Sequence, residues 1–244
     1  MSAPTVYDLF GTWERGLSQM PAQRALGLLA LAHPAASDEE LAALSIGRRD
    51  AALFAVREQL FGERCSALAS CPSCGSDAEL TFDLDELRVD AKEQASDEVH
   101  IEIGGYTARF RVPSAGVMAA LSARLGTALD ADAVLERCLV HATRGEDEVT
   151  ARELPDEART AVAQAMALAD PQADVRLALA CPHCSRQWDA LFDIVSFLWS
   201  ELQAWCQRAL GDVHELASAY GWREADILAL SPARRQRYLD MVRG

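Results

Sequence analysis

The sequence predicts an α+β fold that is mainly α, and three observations predict it. Apolar residues recur at helical spacing near both ends of the chain. Apolar and polar residues alternate on both sides of Gly104 and Gly105, a pattern typical of a β-hairpin. The phrase Cys-Pro-x-Cys, seven residues, Phe-Asp occurs twice, from Cys71 and from Cys181. We therefore expect a helical protein with a bipartite zinc-ribbon-like element and a β-hairpin.

The N-terminal region is predicted to be helical. Segments with helical periodicity, separated by Pro, Ser and Gly, cover residues 6–17, 21–32, 37–45 and 49–62. Ser37, which precedes three acidic residues, is typical of a helix start. Asp50 is placed to cap the last helix and Gly62 to end it.

The 106 residues between Cys74 and Cys181 are expected to be an insertion. It opens with an acidic stretch, 83–98, which we interpret as a short helix or loop, and continues with the hairpin over 99–112. Helical patterns follow at 117–126, 130–143 and 154–174.

From residue 194 onward the chain is again predicted to be helical. The segments are 194–210, 213–220, 223–230 and 232–242. The first is apolar over a wide arc, which favours burial in a core or against a partner. The expected organisation is an N-terminal helical region (1–64), a first knuckle half (65–90), the inserted hairpin and helices (91–175), a second knuckle half (176–193) and a C-terminal helical region (194–244).

The repeated phrase predicts a metal site. A Cys-x-x-Cys turn presents two thiolates on one side, and tetrahedral zinc takes four, so two such turns complete one closed site. The ligands would be Cys71, Cys74, Cys181 and Cys184. Because four thiolates leave no open coordination position, the expected cofactor is a structural Zn²⁺ that ties distant parts of the chain together.

Two alternatives remain for the same residues. Cys-Pro-His-Cys is a spacing used by thiol-disulfide oxidoreductases, with Cys181 as nucleophile and Cys184 as resolving thiol. Zinc ribbons also bind nucleic acid, but only Arg64, Arg176 and Arg186 lie near the knuckles among many acids. Cys65, Cys138 and Cys206 have no such spacing and are predicted core residues, whereas His183 either orders the site or faces solvent.

Composition excludes several function classes. The net charge of −14 argues against a nucleic-acid partner. No run of about 18 apolar residues and no secretory signal is seen, so we expect no membrane partner and a cytoplasmic start, where thiols stay reduced. No phosphate loop, His-Glu-x-x-His helix or nucleophile elbow appears. We therefore predict neither an enzyme nor a small-molecule substrate.

The chain resembles the baseplate and hub-assembly chaperone proteins of T-even-type phages and their relatives in phage-derived contractile injection systems. The matching stretches are IGRRDAALFAVREQLFG before CPSC, the hairpin with ARFRVPS, CPHC with FDIVSFLWSELQAW, and VHELASAYGWREADILALSPARRQRYLDMV. The resemblance runs over nearly the whole chain and is most marked in the last fifty residues.

This resemblance implies a non-enzymatic protein that acts in assembly of the baseplate hub in the cytoplasm or is retained in the baseplate. The implied partners are hub or spike proteins of a contractile tail. We expect the C-terminal helices to contact them through aromatic and arginine side chains, with core packing and a solvated face as the respective alternatives. The candidates are Trp199, Trp205, Tyr220, Trp222, Arg234, Arg235 and Tyr238.

Overall fold

The structure is a computed structural model that describes residues 4–89 and 96–244. Helix makes up 57% and strand 20% of it, which confirms the predicted mainly α fold. The α-helices are α1 (Val6–Gly16), α2 (Pro21–Ala32), α3 (Asp38–Ala43), α4 (Ile46–Phe61), α5 (Ala115–Leu125), α6 (Ala131–Cys138), α7 (Asp156–Ala169), α8 (Ile194–Tyr220), α9 (Glu224–Leu228) and α10 (Pro232–Arg243). Single 3₁₀ turns lie at Leu84–Leu87, Gly126–Ala128, Ala151–Glu153 and Pro171–Ala173.

The strands form small antiparallel sheets. They are β1 (Arg64–Ser70), β2 (Asp77–Asp83), β3 (Glu98–Ile103), β4 (Tyr106–Arg111), β5 (Leu139–Arg144), β6 (Asp147–Glu148), β7 (Arg176–Ala180) and β8 (Gln187–Leu191). β1 pairs with β2 and β7 with β8, each as a separate hairpin, while β3, β4, β5 and β6 pair in chain order.

The largest hydrophobic core joins the two ends of the chain. Helices α1, α2 and α4 pack against α8, with Leu28, Leu53, Leu198 and Leu202 fully buried between them. Cys65 of β1 also belongs to this core, so the first cysteine hairpin is anchored at its base. Burying one such side chain stabilises the folded chain by about 1.5–3 kcal/mol relative to leaving it exposed.

A second core lies entirely within the inserted residues. The sheet β3–β6 packs against α6 and α7 and buries Val99, Phe110, Leu135 and Val162. A small third core at the end of the chain holds α9 and α10 against the last turns of α8.

Asp170 ties the insertion to the N-terminal helices. Its buried carboxylate accepts hydrogen bonds from the backbone N–H of Gly47 at 2.7 Å and from the Ser45 hydroxyl at 3.1 Å. Ser45 is also the N-cap of α4, so Asp170 adds a negative charge where the helix dipole is positive. The predicted cap Asp50 is wrong: it lies inside α4, because the helix begins five residues earlier than its apolar pattern indicates, with Ser45 as the cap.

The helix predicted over 130–143 is wrong in its second half. α6 ends at Cys138, and the next six residues are β5, which pairs with β4 and turns through Gly145 into β6. The predicted hairpin is therefore the start of a four-stranded sheet. The acidic stretch begins with the 3₁₀ turn Leu84–Leu87, and its part from 90 to 95 lies outside the described residues.

The break predicted between 210 and 213 is also absent from the described chain, because α8 continues through Gly211 for 27 residues. Ala209 and Leu216 are buried on either side of the glycine. Their packing outweighs the roughly 1 kcal/mol that one glycine costs inside a helix. Among the described helices, none is sufficiently long and apolar to span a membrane.

Candidate metal centre

The four predicted ligands lie at the tips of two hairpins that meet. In the first, Ser70 pairs with Asp77 and the chain turns through Cys71 and Cys74. In the second, Ala180 pairs with Gln187 around the corresponding turn. The flanking strands consist largely of Ala, Ser and Leu, so intrinsic strand propensity does not explain them. Antiparallel pairing across each turn, with burial that alternates along the strands, supports the strand conformation.

The two turns share one hydrogen-bond pattern. Cys71 donates its N–H to the Ser76 carbonyl at 2.9 Å, and Cys181 donates to Arg186 at 2.8 Å. The N–H of Ser73 points at the Cys71 sulfur at 3.4 Å, and that of His183 points at the Cys181 sulfur at 3.4 Å. Such N–H groups stabilise a thiolate, so the backbone of each turn favours metal-binding sulfur.

The turn closes through a residue with positive φ. It is Gly75 in the first hairpin, with φ of 72°, and Ser185 in the second, with φ of 58°. Both donate their N–H to the carbonyl of the first cysteine, at 2.9 and 3.0 Å. Ser185 is the only residue other than glycine with positive φ in the part of the chain that the structure describes.

The thiols form a compact cluster. Their sulfur atoms all lie within 4.8 Å of one another. Across the hairpins, the sulfur of Cys71 is 3.7 Å from that of Cys184, and that of Cys74 is 3.6 Å from that of Cys181. A tetrahedral ion with metal–sulfur bonds of about 2.3 Å requires sulfur–sulfur edges of about 3.8 Å. The donor set therefore fits a metal ion, and the first cysteine of each pair is buried while the second is exposed.

The proton affinities of the thiols are spread widely. Hydrogen bonds from the side chain and the backbone of Ser76 lower the pKa of Cys74 to about 6. The backbone N–H of Cys74 is the main cause of a lowered pKa at Cys71. For Cys184 the N–H of Arg186 lowers the pKa, but desolvation and hydrogen bonds with the other thiols outweigh it and raise the pKa to about 11. Four thiols this close together cannot all lose their protons, because the thiolate charges would repel one another. A bound cation would compensate these charges.

The second half of the repeated phrase has a structural role. Phe82 and Phe192, the equivalent phenylalanines, contact each other edge to face with ring centroids 5.4 Å apart. Phe197 and Phe54 both pack against Phe192, with ring centroids 5.3 and 5.9 Å from it. Asp193 caps α8 by accepting from the N–H of Val195 at 3.0 Å. The repeat therefore makes two contacts between the hairpins, one of sulfur at the tips and one of aromatic rings at the base.

An ion pair stabilises the base of the two hairpins, and no sequence pattern predicts it. Arg57 of α4 binds both carboxylate oxygens of Glu201 on α8, at 2.7 and 2.9 Å. The same guanidinium donates to the carbonyls of Gly62 and Arg64 at 2.6 and 2.9 Å, where β1 begins. Only 3% of the Arg57 side chain is exposed. Its partners lie up to 144 residues away, so no local pattern identifies it.

Comparison with known proteins gives this site a context. The sequence profile described as T4 bacteriophage base plate protein matches residues 32–199. This chain belongs to the T4 bacteriophage base plate protein family. The match includes both cysteine hairpins and the insertion, and residues 200–244 lie beyond it. No curated protein and no solved structure is significantly similar to the chain.

Membership of this base plate family indicates a structural or assembly role related to the phage baseplate, in contact with other baseplate proteins. A structural family of this kind also indicates a role that is not enzymatic. The four-cysteine cluster is compatible with metal binding within that role.

The residues predicted to contact partners are spread over different environments. Trp199 is buried in the main core, on Gly16 and 4.4 Å from the Arg24 guanidinium. Trp205 is half-buried and packs near Phe10. The three aromatic residues near the end of the chain form one cluster, in which Tyr220 stacks on Trp222 at 4.8 Å and Tyr238 lies edge-on to Trp222 at 4.8 Å. Arg234 is exposed, whereas Arg235 is buried.

The cysteines outside the repeat are buried, in agreement with the core role predicted for them. Cys65, Cys138 and Cys206 are 0%, 4% and 0% exposed. Burial raises the pKa of each thiol to about 11. His183 is exposed.

Proposed function

We propose that this base plate family member is an assembly factor for the baseplate hub of a contractile tail, in a phage or a phage-derived injection system, and that a structural Zn²⁺ holds its fold. The single observation that carries the role is the family match over residues 32–199. The thiol cluster supports the metal, since four thiols at tetrahedral spacing suit zinc in a closed site.

The surroundings of Cys181 favour metal over disulfide exchange. Thiol oxidoreductases activate the first cysteine of the motif at the start of a helix. Here Cys181 and Cys184 lie in a turn between strands β7 and β8, and the close contacts of their sulfurs are with the other hairpin. That arrangement supports four ligands of one ion rather than a nucleophile and its resolving thiol.

The proposed organisation follows the predicted boundaries. The hydrophobic core formed by β3–β6, α6 and α7 supports the view that the inserted hairpin and helices are a unit of their own. The proposed partner surface is the exposed side of α8–α10, with Tyr220, Trp222, Arg234 and Tyr238. Trp199 is left out of this surface because it is buried.

Native mass spectrometry of protein purified without chelator tests the metal. We expect one Zn²⁺ per chain, and, after denaturation in alkylating reagent, seven modified cysteines. Serine in place of any one of the four ligands should lower the zinc content, whereas Cys138→Ser, in the second core, should keep it. A metal-free chain with a disulfide between Cys181 and Cys184, and exchange activity that survives Cys71→Ser, would contradict the metal and favour the oxidoreductase.

Fractionation of infected or producing cells tests the role. An assembly factor should co-sediment with hub intermediates and be missing from finished particles, whereas a retained component should be present in both. Charge reversal at Arg234 should reduce co-sedimentation, and Arg152→Glu, an exposed arginine of the insertion, is the control. Absence of the chain from intermediates and particles alike would contradict the proposal.

A further inference from the structure

A cleft lined by charged residues and Trp205 lies at the C-terminal end of the described chain. It opens between α8 and α10, has a volume of about 720 Å³, and reaches Val6 of α1 at one side. Apart from Val6, its lining residues lie between 205 and 243, beyond the part of the chain that matches the base plate family. Clefts of this size hold small ligands or short peptide segments.

Arg235 is the unusual residue of this cleft. It is in the first turn of α10, and only 10% of its side chain is exposed. Within the described chain its one ionic contact is with Asp212, at 3.7 Å, and it makes no side-chain hydrogen bond. A guanidinium offers five donors, and a buried one normally has partners for them. Arg235 lines the cleft, and in the described chain none of its nitrogen atoms is both fully buried and without a partner, so we take its unused donors to be reachable from the cleft.

The remaining charges of the cleft define the ligand. Arg243 is already held by Glu215 through three hydrogen bonds, at 2.9, 3.0 and 3.2 Å. Arg208 is exposed and forms no ion pair with the described residues. Three arginines thus face two acids, Asp212 and Glu215, which leaves one positive charge in excess in a chain of net charge −14.

Helix α10 runs along the cleft, since Pro232 at its start and Arg243 at its end both line it. Trp205 and Leu228 form an apolar wall beside the arginines. An oligophosphate would carry more negative charge than the single excess positive charge and would meet both acids. One carboxylate next to an apolar side chain matches the cleft.

We infer that this cleft binds one carboxylate side chain, flanked by apolar residues, from a partner protein. Arg235 forms the two-pronged hydrogen bond to the carboxylate, Arg208 supplies a second positive charge, and Trp205 packs on the neighbouring apolar residue. That the partner is a baseplate protein rests on the proposed function, but the carboxylate chemistry of the cleft can be tested without it.

The test is a nuclear magnetic resonance titration of the full chain. The probes are the peptide Ac-Ala-Leu-Glu-Leu-Ala-amide, its Gln analogue and inorganic phosphate. We expect saturable shifts of the Arg235 Nε–H and Trp205 Nε1–H signals with the Glu peptide, and about tenfold weaker binding of the Gln analogue, which is about 1.4 kcal/mol. Equal binding of the two peptides, no binding of either, or a response to phosphate alone would overturn the inference.

Matched variants locate the site. Arg235→Gln and Arg208→Gln should each weaken binding of the Glu peptide about tenfold or more. Arg237→Gln makes the same charge change on the exposed side of α10 outside the cleft lining, and should leave binding unchanged. Because Arg208 is exposed, its variant gives a result even if Arg235→Gln fails to fold. An equal loss in Arg237→Gln would point to unspecific charge attraction and overturn the site.

The cleft and the assembly role fail in different ways. If the chain co-sediments with hub intermediates but does not bind the Glu peptide, the carboxylate site is refuted and the assembly role stands. If the chain binds the peptide but never joins a baseplate intermediate, the carboxylate site stands and its baseplate partner is refuted.

Discussion

At the scale of single residues, the two metal-site turns differ at one position. Gly75 adopts a left-handed conformation without penalty, whereas Ser185 holds the same conformation with a Cβ atom. A non-glycine residue in this region costs about 1 kcal/mol or more. The second turn therefore carries strain that the first does not.

Exchanging these residues should move stability in opposite directions. We expect Ser185→Gly to raise the free energy of unfolding by up to about 1 kcal/mol and Gly75→Ser to lower it by about 1–2 kcal/mol. Ser185→Ala keeps the Cβ atom and should change little. Urea unfolding of the zinc-loaded chains measures all three, and a stabilising Gly75→Ser would show that the turn conformation is not limiting.

Gly47 is a second position where a side chain does not fit. A Cβ atom there would lie 2.2 Å from the Asp170 carboxylate and 3.1 Å from the backbone of Ala173. We expect Gly47→Ala to cost about 2–4 kcal/mol, through overpacking and loss of the hydrogen bonds to Asp170. Thermal unfolding tests this value.

The control is Gly27→Ala in the middle of α2, where the new atom would meet Thr12 only at 3.8 Å. That variant should be neutral or stabilising by up to about 1 kcal/mol. Similar losses at both glycines would mean that helix propensity alone, and not the contact with Asp170, governs position 47.

The proximity of the four cysteines could be predicted because the pattern is repeated. The four cysteines could be identified because each pair has the Cys-x-x-Cys spacing, and a second copy of the same phrase argues against a chance occurrence. The contact between Gly47 and Asp170, 123 residues apart, has no such signature, because a single buried carboxylate looks like any surface aspartate in the sequence.

At the scale of elements, the Arg57–Glu201 pair joins α4, β1 and α8. Removing Arg57 leaves the Glu201 carboxylate without its counter-charge. It also leaves the carbonyls of Gly62 and Arg64, at the start of β1, without their hydrogen-bond donor. We expect Arg57→Met to lower the free energy of unfolding by about 3–5 kcal/mol. Denaturant unfolding with a double-mutant cycle that includes Glu201→Gln should give a large coupling energy between the two sites.

The pair of Arg48 and Asp97 is the matched comparison. Its atoms are 2.9 Å apart, but its side chains are 39% and 69% exposed. Arg48→Met should therefore cost no more than about 1 kcal/mol. Equal costs for Arg48→Met and Arg57→Met would refute a special role for the buried pair.

Element boundaries were the least predictable feature. Between Cys138 and Leu139 the chain changes from helix to strand without a glycine or proline, and apolar residues at 134, 135, 138 and 139 also fit a helix. Residues 139–144 form a strand because they pair with β4. At Gly211 the local signal for a break was present, and packing on both sides overrode it.

At the scale of the whole molecule, the metal site links two hairpins that are each two-stranded. Isolated two-stranded hairpins are marginally stable in water. We expect a chelator to increase hydrogen exchange first in residues 71–76 and 181–186, while the second core around Phe110 and Val162 stays protected. Mass spectrometry of exchanged peptides checks this order, and simultaneous loss of protection in the insertion would contradict it.

Asp50 should make stability depend on pH. Burial, opposed by Arg49 and assisted by Asp193 and Asp170, raises its pKa from 3.8 to about 6. Between these values the folded chain holds a proton that the unfolded chain has lost, so stability should fall as pH rises from about 4 to about 6. The change is on the order of 2–3 kcal/mol at 1.36 kcal/mol per pKa unit.

The measurement is a series of urea unfolding curves from pH 4 to pH 7. Asp50→Asn should lose this component of the pH dependence, and the exposed Asp189→Asn should retain it. An unchanged profile in Asp50→Asn would assign the dependence to another group. Asp50, Asp170 and Asp193 come from three segments of the chain, so this property emerges only from the complete fold.

The separation of the two cysteine pairs also has a consequence in time. At roughly 5–20 residues per second, a ribosome needs roughly 5–20 s to add the 106 residues between Cys74 and Cys181. Until then the first pair can hold an ion through two sulfurs only. Completion of the four-sulfur site thus marks the moment when the insertion has been synthesised and α8, which begins at Ile194, is the next helix to be added. Newly made chains become resistant to chelator only after that delay.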